Sequence, residues 1–270
     1  MSQHPLLHES ETGNHEPVIP ARADSVRRYF GESKNYLDIR RYMIEIRKET
    51  VRELTAGRVF RSVLDIGCGD GSISLPLLTV TGRLTLLDLS AAMLSRALAH
   101  ARPELLANIE TMNQDFLCAS LKPGGYDLII CLGVLAHVEQ PEPIIERVSQ
   151  LLQPGGLLIL ECTDSAHFSN KLTLAVGQIR RNFSGADSYR TKLVSAESVI
   201  NIAQRNKLKL VSLYRHNVAL PLMGKVFSQL ALQKFIRWIF GDVKHNRNAS
   251  LGKECIFAFE SQIVSLPPAR

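Results

Sequence analysis

Val63-Leu64-Asp65-Ile66-Gly67-Cys68-Gly69-Asp70-Gly71 decides how this chain of 270 residues is read. Val63, Leu64 and Ile66 form the short apolar run expected of a parallel strand covered on both faces. Glycines at alternate positions let the backbone turn sharply and let a ligand approach it without meeting a Cβ. A helix beginning near Gly71 would aim its free N–H groups at that ligand. A dinucleotide-binding loop reads G-x-G-x-x-G, and here Gly67 and Gly69 fit while Ser72 stands at the third position. Asp65, just ahead of the turn, would repel a pyrophosphate and attract an ammonium group.

The segments that follow have the same character. Leu84-Thr85-Leu86-Leu87-Asp88 is a second buried strand ending in an acid, about twenty residues after the first glycine, where a carboxylate can accept both ribose hydroxyls. Ser90 caps a helix expected from Ala91 to about Ala101. Asn108 to Gln114 reads as a third strand and leads into Asp115-Phe116. Tyr126 to Leu132 is the fourth strand, followed by Gly133. Leu151 to Leu160 contains a helix end, a Pro154-Gly155-Gly156 turn and a fifth strand. Asp88 and Asp115 each admit a second reading, as caps of the next helical turn. Asp127 starts its strand, at the opposite edge from a ligand crevice, and reads as structural.

In order and spacing, residues 60 to 163 resemble the class I S-adenosylmethionine-dependent methyltransferases of the small-molecule type. The resemblance implies an α/β fold: a Rossmann-like, seven-stranded, mostly parallel sheet with helices on both faces and an antiparallel last strand. An N-terminal helical lid and C-terminal insertions would complete it. It also implies S-adenosylmethionine as cofactor. Asp65, Gly67 and Gly69 would hold its methionine end, Asp88 its ribose, and Asp115 with Phe116 its adenine. Cys68, Leu89, Cys131 and Leu132 would also contact the cofactor.

His137, in Gly133-Val134-Leu135-Ala136-His137-Val138-Glu139, is the candidate general base, because it leaves the C-terminal end of strand four and titrates near neutrality. The family's common pattern there is L-x-H-V, and Ala136 stands where many members carry Glu. A structural or orienting role for His137 is the alternative. Cys131-Leu132-Gly133-Val134 replaces the Asn-Pro-Pro-Tyr type signature of many nucleic-acid and glutamine amide N-methyltransferases. That favours a small-molecule or lipid-like acceptor with an O, N or C nucleophile. The competing functions are a nucleotide (NAD)-dependent oxidoreductase and a non-catalytic, cofactor-binding relative acting as a partner protein.

The five cysteines are scattered, with no C-x-x-C pair, so neither a disulfide framework nor a zinc site is indicated and a cytoplasmic location is expected. Residues 1–21 are polar, lack the apolar core of a signal peptide and read as a disordered tail. Residues 22–57 read as the helical lid, with a helix from Leu37 to about Thr55. Tyr29, Tyr36 and Arg40 are candidates there for contact with substrate or cofactor. Residues 58–164 form the cofactor-binding core, and residues 165–270 carry substrate-cap insertions and the last strands. Ser195 caps a helix Ala196 to Gln204, Leu208 to Tyr214 is a strand, and Glu254 to Glu260 pairs with it antiparallel. Val218 to Phe240 is apolar but interrupted by Lys225, Lys234 and Arg237, which makes an amphipathic cap rather than a membrane span.

Charge is concentrated in this half. Between Ser165 and Ser250 the sum is 14 − 3 = +11, against +6 for the whole chain. A solvated basic face is the plain interpretation. The functional ones are an anionic substrate, a carrier protein or an acidic membrane surface. No RNA-binding module is recognisable, and nucleic acid is not expected as a partner.

Overall fold

The computed structural model describes residues 41–170, 193–218 and 227–262. The disordered tail expected over 1–21, and the candidates Tyr29, Tyr36 and Arg40, lie outside the described residues. Seven strands are present: β1 (Ser62–Ile66), β2 (Arg83–Leu87), β3 (Ile109–Met112), β4 (Tyr126–Cys131), β5 (Leu152–Thr163), β6 (Leu208–His216) and β7 (Glu254–Ser261). They form one sheet in the order β3-β2-β1-β4-β5-β7-β6. β1 through β5 pair in parallel, whereas β7 runs antiparallel to both β5 and β6. This is the expected doubly wound arrangement.

Helices cover both faces, because alternation along each buried strand sends apolar side chains both ways. Leu64, Ile66, Ile129 and Leu158 face α3 (Glu142–Leu151) and α4 (Ala196–Arg205), packing on Ile145, Val148, Val199 and Ala203. Val63, Leu84, Leu86 and Leu128 face the other way, toward Val51 of α1 (Arg41–Leu54) and Leu94 and Ala97 of α2 (Ala91–His100). Caps fall where the side chains allow them: the Ser90 hydroxyl accepts from Met93 N and the Ser195 hydroxyl from Ser198 N. Asp127 has the structural role expected of it. Its carboxylate accepts from Arg61 N at 2.7 Å and Ser62 N at 3.0 Å, tying the entry of β1 to β4.

Two local expectations are corrected. No α-helix begins at Gly71; the chain makes a single 3₁₀ turn, Leu75–Leu77. Pro76 is the cause, since it lacks an N–H and its ring would clash with a carbonyl one turn earlier. Pro154-Gly155-Gly156 does not end an element but lies within β5 as an irregularity. Leu152 pairs with Tyr126 and Leu157 with Leu128, so the residues between them bulge out, with Gly155 at φ +70°.

The last helix, α5 (Gln229–Phe240), packs against α1 over the end of β6, where Ile46, Tyr214, Ile236 and Phe240 form a third apolar cluster. Beside it, His216 is fully buried, stacked on Tyr214 at 5.4 Å, with neither ring nitrogen hydrogen-bonded. Burial, reinforced by Arg47 and Arg237, pushes its pKa down to about 3. The unfolded chain takes up a proton near pH 6.5 that the native state refuses, so this stability is complete above pH 6.5 and is lost as pH falls toward 3. At pH 4.5 the loss amounts to about 2–3 kcal/mol, at 1.36 kcal/mol per unit. His216→Leu is expected to flatten this acid limb. Melting temperatures measured from pH 7 to pH 4.5 should fall less in the variant; parallel curves would refute the assignment.

Candidate active site

In an open α/β sheet, ligands bind beyond the carboxyl ends of the strands where the strand order reverses. Here the reversal lies between β1 and β4, and a cleft of about 550 Å³ opens there, within the size range of small-molecule sites. Its floor is the glycine loop. Gly67 N and Cys68 N donate to Leu87 O at 2.8 and 3.2 Å, and Gly69 N donates to Asp88 Oδ2 at 2.9 Å. Gly67 is required twice over. Its φ is +68°, and a Cβ there would lie 2.6 Å from the Val134 side chain on the opposite wall.

Asp88 therefore sits at the lip of β2 with one oxygen on the loop and the other accepting from Ser90 N at 2.8 Å. Each oxygen keeps a lone pair for a ligand. Burial pushes its pKa up, and the N–H groups of Ser90 and Gly69 oppose that rise. Next to it, Asp115 caps the 3₁₀ turn Phe116–Cys118 by accepting from Leu117 N at 2.8 Å, and also lines the cleft. Both readings of Asp115, cap and cleft residue, thus hold in geometry. Phe116 forms a buried wall backed by the Arg147 guanidinium, 5.3 Å from its ring centre. The far wall is Leu132 to Val134 with His137, which ends the 3₁₀ turn Leu135–His137 and donates its backbone N–H to Val134 O at 2.8 Å.

Gly67, Cys68, Gly69, Asp88, Leu89, Asp115, Phe116, Leu132 and His137 all face one cavity. Asp65 and Cys131 do not line it. Side chains alternate along a strand, so Asp65 points to the same face as Val63, beneath the loop, and Cys131 points with Ile129 into the layer under α3. Asp65 is 3% exposed, with Oδ2 unpaired. Burial pushes its carboxyl up to about 7; the Ser74 hydroxyl opposes the rise, and Asp88 and Asp70 add to it. Burial likewise raises the thiols of Cys68 and Cys131, leaving them neutral and unreactive.

Sequence reading missed Arg47. It reaches the cleft from α1 together with Ile44, three residues earlier on the same helical face. Its guanidinium grips Glu161 of β5 through two contacts, Nε–Oε1 at 3.0 Å and Nη2–Oε2 at 2.7 Å, and lies against Gly133. The available signal was a charged residue beside the apolar positions of that helix. Arg47 is the one Lys or Arg among the described lining residues, against the carboxylates Asp70, Asp88, Asp115 and Glu139. This balance is hostile to a pyrophosphate, and the helix N-terminus that a dinucleotide would use is absent from the described loop after Gly71.

Fold and cleft point to one class: residues 64–158 match the family model described as "Methyltransferase domain", and the fold is that of solved S-adenosylmethionine-dependent methyltransferases. The fold is shared with magnesium protoporphyrin IX methyltransferase from Synechocystis PCC 6803 with bound SAH, at a TM-score of 0.60 and 20% identity, over 89% of this chain and 99% of that one. Among curated proteins the chain is similar to the ubiquinone biosynthesis O-methyltransferase of Sodalis glossinidius, 28% identical over 56% of this chain and 60% of the relative. It is also similar to the protein of that name from Coxiella burnetii, 32% identical over 53% of this chain and 52% of the relative. The matched region thus spans a little over half the length of these relatives.

Proposed function

We propose that the chain transfers a methyl group from S-adenosylmethionine to a hydroxyl oxygen of a small, lipophilic metabolite of the kind met in quinone biosynthesis. The observation that carries the cofactor reading is Asp88, held by Gly69 and Ser90 and lining the cleft. It fits a vicinal diol, the ribose. Leu89, Asp115 and Phe116 suit the adenine, one by hydrogen bonding and the others by apolar contact. The glycine loop would receive the methionine end, with Arg47 lining the same cleft on the side of its carboxylate and the acidic surroundings, Asp65 beneath them, favouring its cationic groups. The oxygen acceptor is supported by the relatives' names, and the lipophilic character by Val134, Val138, Pro143 and Ile144 along the far wall.

The bound cofactor supplies an electrophilic methyl on a sulfonium. The protein's share is positioning the acceptor in line and excluding water. His137 would take the hydroxyl proton on a ring nitrogen as oxygen bonds to the methyl carbon and the S–CH₃ bond breaks. S-adenosylhomocysteine and the methylated oxygen leave. The described cysteines, all free thiols, suit the reducing cytoplasm expected for such an enzyme, and no helix among the described residues is long and apolar enough to cross a membrane.

Calorimetry with S-adenosylhomocysteine and with NAD(H) separates this from the oxidoreductase reading: the first should bind, and binding of NAD(H) alone would sink the proposal. Asp88→Ala is expected to weaken S-adenosylhomocysteine by about 1–3 kcal/mol, the loss of charge-assisted hydrogen bonds. Unchanged affinity in the folded variant would remove the ribose assignment. Labelled methyl transfer to hydroxylated aromatic acceptors, compared with amines, tests the oxygen specificity.

A further inference from the structure

α5 turns two very different faces outward. Leu232, Ile236 and Phe240 are buried, and the flank beside them is fastened to α1: Arg237 pairs with Glu49 at 2.7 Å and Glu53 at 3.1 Å, Gln233 donates to Glu49 at 2.7 Å, and Gln229 accepts from Tyr42 N at 3.2 Å. The opposite face carries Leu230, Lys234 and Trp238, spaced one turn apart, with Phe227 just ahead of the Ser228 cap. Leu230 is 59% exposed, Trp238 72% and Phe227 49%, and Phe235 stacks on Trp238 at 6.1 Å. Large apolar side chains on a pinned helix, in contact with water, call for a partner.

Charge identifies which one. Lys234 lies within the stripe, and exposed Lys244 and Arg247 follow the helix, Arg247 reaching the Trp238 carbonyl at 3.5 Å. The neighbouring acids are engaged: Glu49 and Glu53 by Arg237, Asp242 by His245. A rim of cations around aromatic and aliphatic side chains is the pattern of a helix lying in a lipid interface, its apolar face among the acyl chains and its cations at anionic headgroups. We propose that the Phe227–Leu230–Lys234–Trp238 face of α5 docks this protein onto an anionic membrane surface. α1, on which α5 rests, supplies Ile44 and Arg47 to the cleft, so docking would hold the cleft near the bilayer.

Trp238 is the single tryptophan of the chain and reports directly on this contact. With the full chain, phosphatidylcholine vesicles containing phosphatidylglycerol should shift its emission to the blue, bring it within reach of quenching by brominated acyl chains, and sediment the protein. Pure phosphatidylcholine should do so far less, and high salt should weaken the anionic case. Lys234→Gln should lower partitioning about fivefold, at roughly 1 kcal/mol per cation. Leu230→Ser should lower it about tenfold or more through lost apolar burial. Both variants should keep their affinity for S-adenosylhomocysteine. Trp238 emission unmoved by anionic vesicles, or equal binding to neutral ones, would overturn the proposal. So would a lipid-independent shift that follows protein concentration, which would assign the face to a second copy of this chain.

Discussion

Replacing His137 by alanine is expected to lower kcat by about 10²–10⁴-fold, the usual contribution of a positioned general base. The affinity for S-adenosylhomocysteine should barely change, because Asp88, the glycine loop and the Phe116 wall remain in place. His137 ends the 3₁₀ turn that follows β4, its backbone N–H on Val134 O at 2.8 Å, and lines the cleft. Single-turnover kinetics with a hydroxylated acceptor would separate the two roles weighed for it. A base gives a kcat that falls with decreasing pH in the wild type and loses that dependence in His137→Ala. A residue that only orients the wall would alter KM and leave the pH profile intact, and that outcome would remove the proton-transfer step proposed above.

Arg47→Ala should destabilise the protein by about 3–5 kcal/mol, because it strands a buried carboxylate. Glu161 is only 2% exposed, and its ion pair with Arg47 ties α1 to β5 across the cleft. A second buried acid, Glu254, lies nearby. Its pKa is raised by burial first and by Glu161 next, while Thr163 and the cations Lys253 and Arg47 lower it. Removing Arg47 therefore leaves two carboxylates facing each other with less compensation. Arg47→Met with Glu161→Leu should recover most of the loss, since the pair is then replaced by apolar volume. Urea unfolding of the single and double variants measures both values. A single variant within about 1 kcal/mol of wild type, as for an exposed pair, would show that Glu161 is not sealed as the structure has it.

Much of the loop and strand-end geometry was legible because its signals are local. Glycines at positive φ, an acid at a strand end and a serine ahead of a helix are requirements of the backbone at their own positions. Gly67, Gly69, Asp88 and Ser90 could be read one by one for that reason. Asp65 sits behind the cleft for an equally local reason. Its place on the chain is next to the loop, but strand alternation turns its carboxylate under the floor. Pro76 could have been weighed against a helix after Gly71, an expectation drawn from the glycine loop alone. Arg47 was legible only as a charged residue beside the apolar positions of its helix, not as a residue of the cleft. It is twenty residues from the glycine loop and 114 from Glu161, and only folding brings the three together.

The sequence by itself determined the doubly wound sheet, the antiparallel β7, the glycine loop and the acid at the end of β2. Each is specified by hydrophobic period, turn chemistry or a charge at one end of a strand. Only the tertiary structure decided which charge enters the cleft from α1 and that Asp65 and Cys131 stay behind its wall. It alone decided which face of α5 is left to solvent. Those outcomes depend on how elements far apart in the chain share buried surface, and the local pattern around a residue carries no record of its distant neighbours.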